Sequence, residues 1–289
     1  MPLHCLDREP RGKLLDNPTI ITSVANESVK YVRSLHRRRV RYQEQAFIGE
    51  GLRTVEEGIK AGIQPVFLFH TAAVLDAARA RCILSQAEGQ GVQIRAVSEP
   101  VMAAMADTVT PSGILAVFPM LWHPTPHPLT WALLVDGLRD PGNMGTILRS
   151  ALAAGVESVI TTMGTVDVYS PKVVRAAMGA HFRLNLWLNQ TWRAVGGALQ
   201  SLQVVVAKPQ GRISYWEVDW RRPTALLIGS EAEGPSAEAE KLATGYVTIP
   251  MCKEVESLNA AVAASVLLFE AARQRFYMGS DANSSPQPR

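Results

Sequence analysis

Three short segments in the second half of the chain place glycines and polar side chains at the ends of apolar runs. The first is residues 136–149, with the sequence DGLRDPGNMGTILR. It predicts a strand end, a turn and a helix that begins near Met144, where free backbone N–H groups form a natural anion site. An ordinary turn explains Asn143 and Arg149 poorly, because an arginine with apolar neighbours on a helix needs a partner or the surface.

The second segment is residues 227–234 (LIGSEAEG), in which an apolar strand leads directly into Gly229. Ligands of open α/β sheets bind at the carboxyl ends of strands. Gly229 and Gly234 would let the backbone wrap closely around a small planar group, and Glu231 lies between them. Taken alone, the pattern is equally typical of an ordinary strand-to-helix loop.

The third segment, residues 247–259 (VTIPMCKEVESLN), leads from a strand into a long apolar helix. Ser257 is predicted to be the N-cap of that helix. On this interpretation Asn259 is only a polar residue in the second turn. The glycine spacing of the first segment is not G-x-G-x-x-G, and no acidic ribose ligand stands at the expected distance, so a nicotinamide dehydrogenase is excluded.

The elements around these segments predict an α/β fold. In the second half, near-continuous apolar strands alternate with helices, which is typical of a parallel sheet covered on both faces. Strands are predicted over residues 131–135, 158–161, 184–188, 204–207, 225–228 and 246–249, and helices over residues 144–154, from Ser170, over 191–199 and over 257–276.

The first half also alternates short strands and helices, which indicates a second, smaller α/β layer. Strands are predicted over residues 46–48, 66–69 and 92–97, and helices over residues 28–38, 51–61 and 72–86. The prolines between residues 120 and 130 cannot continue a helix or a central strand. We therefore predict a mobile arm (1–18), a first domain (19–118), a linker (119–130), a second domain (131–277) and a disordered tail (278–289).

The composition excludes several classes of protein. With 289 residues, 47% hydrophobic and 19% charged, the chain is neither a small stapled scaffold nor globally disordered. Cys5, Cys82 and Cys252 lie far apart, so neither a disulfide framework nor a zinc site is supported, and a reducing cytoplasm fits best. We expect no secretory signal, and the longest apolar stretch falls short of the roughly 20 residues that cross a bilayer.

The net charge of +3 says little about partners, but the position of the cations says more. Between residues 28 and 43 the chain has six cationic side chains and no acid. Such a cluster is either a solvated helix face or a contact surface for phosphates. The cluster consists of Lys30, Arg33, Arg37, Arg38, Arg39 and Arg41.

Together, the three segments resemble the SpoU/TrmH family of S-adenosylmethionine-dependent RNA ribose 2′-O-methyltransferases. The similar motifs are residues 140–145 (DPGNMG) with Arg149, residues 229–234 (GSEAEG), and residues 249–251 (IPM) with 257–259 (SLN). Residues 170–176 (SPKVVRA) match a further recurring segment, so the resemblance spans residues 130–275. Residues 41–53 are similar, less sharply, to the ribosomal-protein-like substrate-binding domain of many members.

The resemblance implies a parallel sheet with a C-terminal trefoil knot, S-adenosylmethionine bound without metal, and a homodimer formed by the catalytic domains. It implies RNA rather than DNA as partner, because the reacting group is a ribose 2′-OH, and it favours RNA contact for the cationic cluster. Cofactor contacts are implied at Gly229, Gly234, Ile249, Pro250, Met251 and Leu258, with Ala207 and Lys208 at the rim. The implied catalytic set is Asn143, Arg149, Glu231, Ser257 and Asn259.

Several alternatives stay open at this point. The separate first domain favours large-subunit rRNA as substrate, beside a tRNA enzyme or an antibiotic-resistance rRNA methyltransferase. A non-catalytic RNA-binding protein on the same scaffold is disfavoured because the catalytic set is intact. Two positions depart from the family pattern, with Ala177 where many members have Ser and Lys253 where many have Gly.

Overall fold

A computed structural model describes residues 20–121, 128–252 and 255–277 of the chain. The predicted arm, the predicted tail and Lys253 lie outside these ranges. Two compact units are present: one contains the described residues up to Met120 together with Tyr169–Phe182, and the other contains Leu121–Val168 and the residues from Arg183 onward. None of the helices within these ranges combines the length and apolarity that a membrane span needs.

The secondary structure follows the predicted α/β alternation. The helices are α1 (Glu27–Ser34), α2 (Arg38–Glu44), α3 (Leu52–Lys60), α4 (Ala78–Gly89), α5 (Glu99–Met105), α6 (Pro141–Ala153), α7 (Pro171–Ala177), α8 (Trp192–Ala198), α9 (Ala237–Leu242) and α10 (Ala260–Ala272). The strands are β1 (Ala46–Glu50), β2 (Phe67–His70), β3 (Gln93–Ala96), β4 (Ile114–Pro119), β5 (Trp131–Val135), β6 (Ser158–Thr162), β7 (Asn185–Gln190), β8 (Gln203–Ala207), β9 (Ile213–Ser214), β10 (Thr224–Ile228) and β11 (Gly245–Thr248). Short 3₁₀ turns cover Ala73–Asp76 and Ala180–Phe182, and a π turn, Arg273–Tyr277, follows α10.

The first unit is built on a mixed sheet in the order β1-β4-β2-β3. Strand β4 is antiparallel to β1 and β2, while β2 and β3 are parallel. The segment Tyr169–Phe182 belongs to this unit because its rings join an aromatic cluster: Phe47 lies 4.9 Å from Tyr169 and 5.8 Å from Phe182 between centroids. The predicted second domain, residues 131–277, is therefore not one contact unit.

The helix predicted over residues 28–38 is interrupted, and the interruption changes the role of one cation. Arg41 is buried, and its Nη1 donates to the carbonyl oxygens of Leu35 and His36 at 2.6 and 2.8 Å, between α1 and α2. These carbonyls follow the end of α1, where helix geometry leaves acceptors unpaired. The predicted RNA contact at Arg41 is therefore corrected: its guanidinium holds the two helices together.

The second unit is built on a parallel sheet in the order β7-β6-β5-β10-β8-β11-β9, which confirms the predicted parallel sheet. Strands β5, β6 and β10 are buried along their whole length, as expected for a sheet covered on both faces. Because every pair is parallel, the carboxyl ends of all seven strands meet at one edge. The loops that follow β5, β10 and β11 contain the three candidate segments.

Candidate active site

A cavity of about 990 Å³ opens at the carboxyl ends of β8, β10 and β11. The predicted cofactor contacts line it with a single exception, since Pro250 is not part of the wall. The predicted contacts in the wall are Ala207, Lys208, Gly229, Gly234, Ile249, Met251 and Leu258. Of the predicted catalytic set, Glu231, Ser257 and Asn259 line the cavity as well, whereas Asn143 and Arg149 do not.

The wall of the cavity combines apolar side chains with the loop that follows β10. The loop after β10 closes on itself, because the Ser230 N–H donates to the Gly234 carbonyl at 2.9 Å and the Gly234 N–H donates back at 3.1 Å. Apolar side chains come from Ile249, Met251 and Leu258 on the other side. Apolar walls suit an adenine ring, and glycines at both ends of the loop let its backbone approach a planar group closely, so the residues fit S-adenosylmethionine.

Three side chains from the three segments form one hydrogen-bonded chain. Asn143 Nδ2 donates to Glu231 Oε1 at 2.9 Å, and Asn259 Nδ2 donates to Asn143 Oδ1 at 2.9 Å. The backbone N–H groups of Arg139 and Asp140 also donate to the Glu231 carboxylate, each at 3.2 Å. The first segment, the loop after β10 and the start of α10 are thus joined through polar side chains.

The Glu231 carboxylate is held in its charged form. Partial burial by itself would raise the pKa of Glu231, but the hydrogen bonds from Asn143 and from the backbone N–H groups of Glu231, Arg139 and Asp140 outweigh it and lower that pKa. A group with a depressed pKa in the folded state loses its contribution only when the pH falls through that pKa. The Glu231 carboxylate therefore stays ionised at neutral pH, and its hydrogen bonds within the cluster are kept.

Helix α6 begins earlier than predicted, and this places Asn143. Asp140 is the N-cap and accepts from the Asn143 N–H at 2.7 Å, with Pro141 at the first helical position. This cap and Pro arrangement is a common helix start, and it is the signal in the sequence that marks the helix before Met144. Asn143 consequently lies in the first turn, close to the strand end, where it reaches Glu231.

The N-cap of α10 is Asn259 rather than Ser257. Asn259 Oδ1 accepts from the N–H groups of Ala261 and Val262 at 2.9 and 3.3 Å. Ser and Asn are about equally good caps, so sequence alone could not choose between them. Asn259 has a second bond, to Asn143, and this contact distant in sequence adds to the preference for it.

We expect Asn259→Ala to lower the free energy of unfolding by about 1 kcal/mol, because the cap of α10 is lost. Ser257→Ala is the matched control, since Ser257 is exposed and does not cap the helix. Denaturant unfolding measures both. Equal destabilisation by the two substitutions would contradict the assignment of Asn259 as the cap.

Arg149 lies on the exposed side of α6, outside the cavity wall. Its neighbour Ser150 hydrogen-bonds to Ser265 of α10 at 2.7 Å between hydroxyl oxygens. Arg149 thus directly precedes a residue through which α6 packs against α10. The structure brings together Asn143, Glu231 and Asn259, and it leaves Arg149 outside that cluster.

Lys208 stands at the rim of the cavity and is already paired there. Its ammonium forms an ion pair with Glu240 and lies 5.0 Å from the centre of the Tyr246 ring. Sequence reasoning missed Arg139 and Asp140 as backbone donors to Glu231. Among the residues described, no group of three or more His, Cys, Asp or Glu side chains could hold a metal ion.

Both halves of the chain match models of known protein families. Residues 130–269 match the model of the SpoU rRNA Methylase family, and residues 26–116 match that of the MRM3-like substrate binding domain. An uncharacterized tRNA/rRNA methyltransferase of Synechocystis sp. is 36% identical over 89% of this chain and 94% of its own length. The 23S rRNA guanosine 2′-O-methyltransferase RlmP of Bacillus subtilis is 33% identical over 86% of this chain and 97% of its own length.

A solved structure shows the same fold. The AdoMet-bound rRNA methyltransferase from Sinorhizobium meliloti superposes with a TM-score of 0.77 at 28% identity, covering 89% of this chain and 97% of that one. The family model covers all three strand-end loops that form the cavity and the Asn143–Glu231–Asn259 cluster. The chain therefore belongs to the SpoU rRNA methylase family.

Proposed function

We propose that the protein methylates a ribose 2′-OH of large-subunit rRNA with S-adenosylmethionine as methyl donor. The observation that supports this most is the Asn143–Glu231–Asn259 cluster beside a cavity that fits the cofactor. The match of the first unit to an MRM3-like substrate binding domain and the name of the Bacillus subtilis relative favour rRNA.

The cofactor supplies a methyl group on a sulfonium, which is already an excellent leaving group. The protein then has to align the ribose hydroxyl and assist the loss of its proton. Asn259 lines the cavity, and Asn143 links it to Glu231, whose carboxylate fixes the orientation of Asn143. Arg149 is assigned to the hydroxyl and the adjacent phosphate, where a bidentate guanidinium contact is strong. An arginine is a poor base, because a guanidinium keeps its proton in proteins, so electrostatic activation is the role we assign to Arg149.

Methyl transfer from labelled S-adenosylmethionine to protein-free large-subunit rRNA and to intact subunits tests the proposal. We expect label at a single ribose, located by mapping 2′-O-methylation in the presence and absence of the gene. If only added tRNA is labelled, the substrate is tRNA and not rRNA. Tight binding of both cofactor and rRNA without transfer would support the non-catalytic alternative.

The exposed cations of α1 and α2 are proposed to contact rRNA phosphates. Arg33, Arg37, Arg38 and Arg39 are exposed, while Lys30 is exposed and paired with Glu27 at 2.9 Å. We expect Arg37→Ala and Arg39→Ala each to reduce the slope of log affinity against log salt by roughly 0.7–0.9, because one phosphate contact is lost. Filter binding at several salt concentrations measures the slope, with cofactor affinity unchanged.

Arg41→Ala is the contrasting variant, since this guanidinium is buried. It should lower the free energy of unfolding by roughly 1–3 kcal/mol, because two carbonyl oxygens lose a charged donor. Its salt slope should stay at the wild-type value. If Arg37→Ala and Arg39→Ala keep the wild-type slope of log affinity against log salt, the cluster is only a solvated helix face.

A second copy of the chain is the proposed partner of α10. Val262 and Phe269 are 49% and 51% exposed, and they lie on one side of this apolar helix, two turns apart. These two half-exposed apolar side chains support the dimer interface that the family resemblance implies. Because Ser150 and Ser265 link α6 to α10, a dimer through α10 would bring Arg149 toward the partner's site.

We expect a dimer in sedimentation equilibrium at micromolar concentration. Val262→Asp should shift it to monomer and strongly reduce the rate of methyl transfer, because a charge would be buried at the interface. Val66→Asp, at a similarly exposed position of the first unit, is the control and should stay dimeric. A fully active monomer would contradict the proposal.

A trefoil knot in the second unit remains a proposal from the family resemblance. The observed path is compatible with it, since β10 lies between β5 and β8, β11 lies beyond β8, and α10 then packs against α6. A cytoplasmic location likewise remains a prediction.

A further inference from the structure

Asp136 is a buried carboxylate at the carboxyl end of β5 to which none of the predicted roles applies. It is only 6% exposed. Its Oδ1 accepts from the Thr162 hydroxyl at 2.8 Å, and its Oδ2 accepts from the Ser236 N–H at 2.8 Å. A buried carboxylate is costly unless its oxygens accept hydrogen bonds, so the structure around Asp136 is built to satisfy it.

The two partners of Asp136 belong to different elements. Thr162 is the last residue of β6, next to β5 in the sheet. Ser236 is the N-cap of α9, and it ends the loop that begins at Gly229. Asp136 therefore fixes the far end of the loop that lines the cofactor cavity, whereas β10 fixes its near end.

The loops after β5 and β10 are joined by two carboxylates, and each loop contributes one carboxylate that accepts hydrogen bonds from the other loop. Asp136, before the first segment's turn, accepts from Ser236 at the end of the loop after β10. Glu231, inside that loop, accepts from the backbone of Arg139 and Asp140 in the first segment. We call this arrangement the reciprocal clamp of Asp136 and Glu231. Neither loop can move without breaking charge-assisted hydrogen bonds, which are about twice as strong as neutral ones.

We propose that Asp136 is a positioning residue that holds the loop from Gly229 to Pro235 in the shape that binds the cofactor. The inference rests on the proposed function, and it adds a residue that acts through Ser236 rather than by touching a reactant. Its consequence is specific: loss of the Asp136–Ser236 bond should weaken cofactor binding more than it weakens RNA binding.

The backbone of Ser236 allows the effect of this bond to be isolated by comparing two substitutions. Ser236 has φ of −68° and ψ of 164°, which proline adopts without strain. Ser236→Pro removes both the N–H that reaches Asp136 and the hydroxyl that caps the Ala239 N–H. Ser236→Ala removes only the hydroxyl and is the matched control, so the difference between the two variants reports the bond to Asp136.

We expect Ser236→Pro to raise the KM for S-adenosylmethionine about tenfold relative to Ser236→Ala, because a hydrogen bond to a charged group is lost. The KM for RNA should not change. Calorimetry should show the same loss of cofactor affinity, and hydrogen exchange of the free protein should show faster exchange at the Ser230 and Gly234 amides. Equal KM values in the two variants would overturn the proposal.

Asp136→Asn separates positioning from charge. Its amide oxygen can accept from Ser236 while its N–H₂ donates to Thr162, so we expect affinity close to wild type. A loss as large as that of Ser236→Pro would overturn the positioning role. So would a Ser236 amide that exchanges in wild-type protein as fast as an exposed loop amide. Wild-type protein that binds no cofactor would instead contradict the proposed function.

Discussion

Arg149→Ala should lose about 10²–10³ in the single-turnover rate of rRNA methylation while keeping its affinity for S-adenosylmethionine. The expected loss is that of a donor whose interaction strengthens as the hydroxyl oxygen gains negative charge in the transition state. The structure supports the second half of the expectation, because Arg149 is not part of the cavity wall. The measurement is single turnover with saturating cofactor, combined with calorimetry.

Two further variants sharpen this result. Arg149→Lys should recover little activity, since an ammonium cannot reproduce the planar fork that binds phosphate and hydroxyl together. Arg193→Ala removes the same charge from an exposed position of α8 and should be as active as wild type. A wild-type rate in Arg149→Ala would refute the assigned role of this arginine.

The location of Arg149 also links its role to the dimer. Within one chain, the structure leaves it outside the cluster of Asn143, Glu231 and Asn259. If a second copy docks on α10, Arg149 becomes a residue of a composite site. Val262→Asp and Arg149→Ala should then cause similar losses of rate, although only the first should change the sedimentation of the protein.

Local sequence patterns predicted the elements and the loops of the second unit well. Apolar runs such as β5 and β10 end at glycines or polar residues, and the strand ends meet at one edge because the sheet is parallel. What depends on contacts distant in sequence could not be predicted. Arg41 looks like its cationic neighbours in the sequence, and only the carbonyl groups of Leu35 and His36 distinguish it.

Sequence patterns also did not predict the shortest elements or the division into two units, because both depend on contacts between residues distant in sequence. The two residues of β9 exist as a strand only because they pair with β11. Residues 169–182 join the first unit through rings such as Phe118 and Phe182, whose centroids are 4.6 Å apart. Neither contact has a local signature, whereas a cap followed by proline, as at Asp140, does.

Gly229→Ala should weaken the binding of S-adenosylmethionine about 100-fold, for a reason that differs from the one predicted from sequence. From the sequence alone, Gly229 is needed because it lets the backbone wrap closely around a small planar group. Instead, a Cβ there would lie 2.3 Å from the carbonyl carbon of Gly234 and 2.3 Å from the nitrogen of Pro235. These are backbone atoms, so the loop itself has to open.

Because the loop has to open in Gly229→Ala, we expect a loss of cofactor affinity beyond a general loss of folding stability. Overpacking costs up to about 3 kcal/mol, which corresponds to about 100-fold in affinity if the strain is relieved in the free protein and returns on binding. Gly234→Ala is the matched control in the same loop: its φ is +70°, but its Cβ would meet no atom within 4 Å. That backbone strain costs only about 1–2 kcal/mol. Calorimetry on both variants should therefore show the larger loss of cofactor affinity in Gly229→Ala. Equal affinities for Gly229→Ala and wild type would show that the close approach of Gly229 to Gly234 is not needed for cofactor binding.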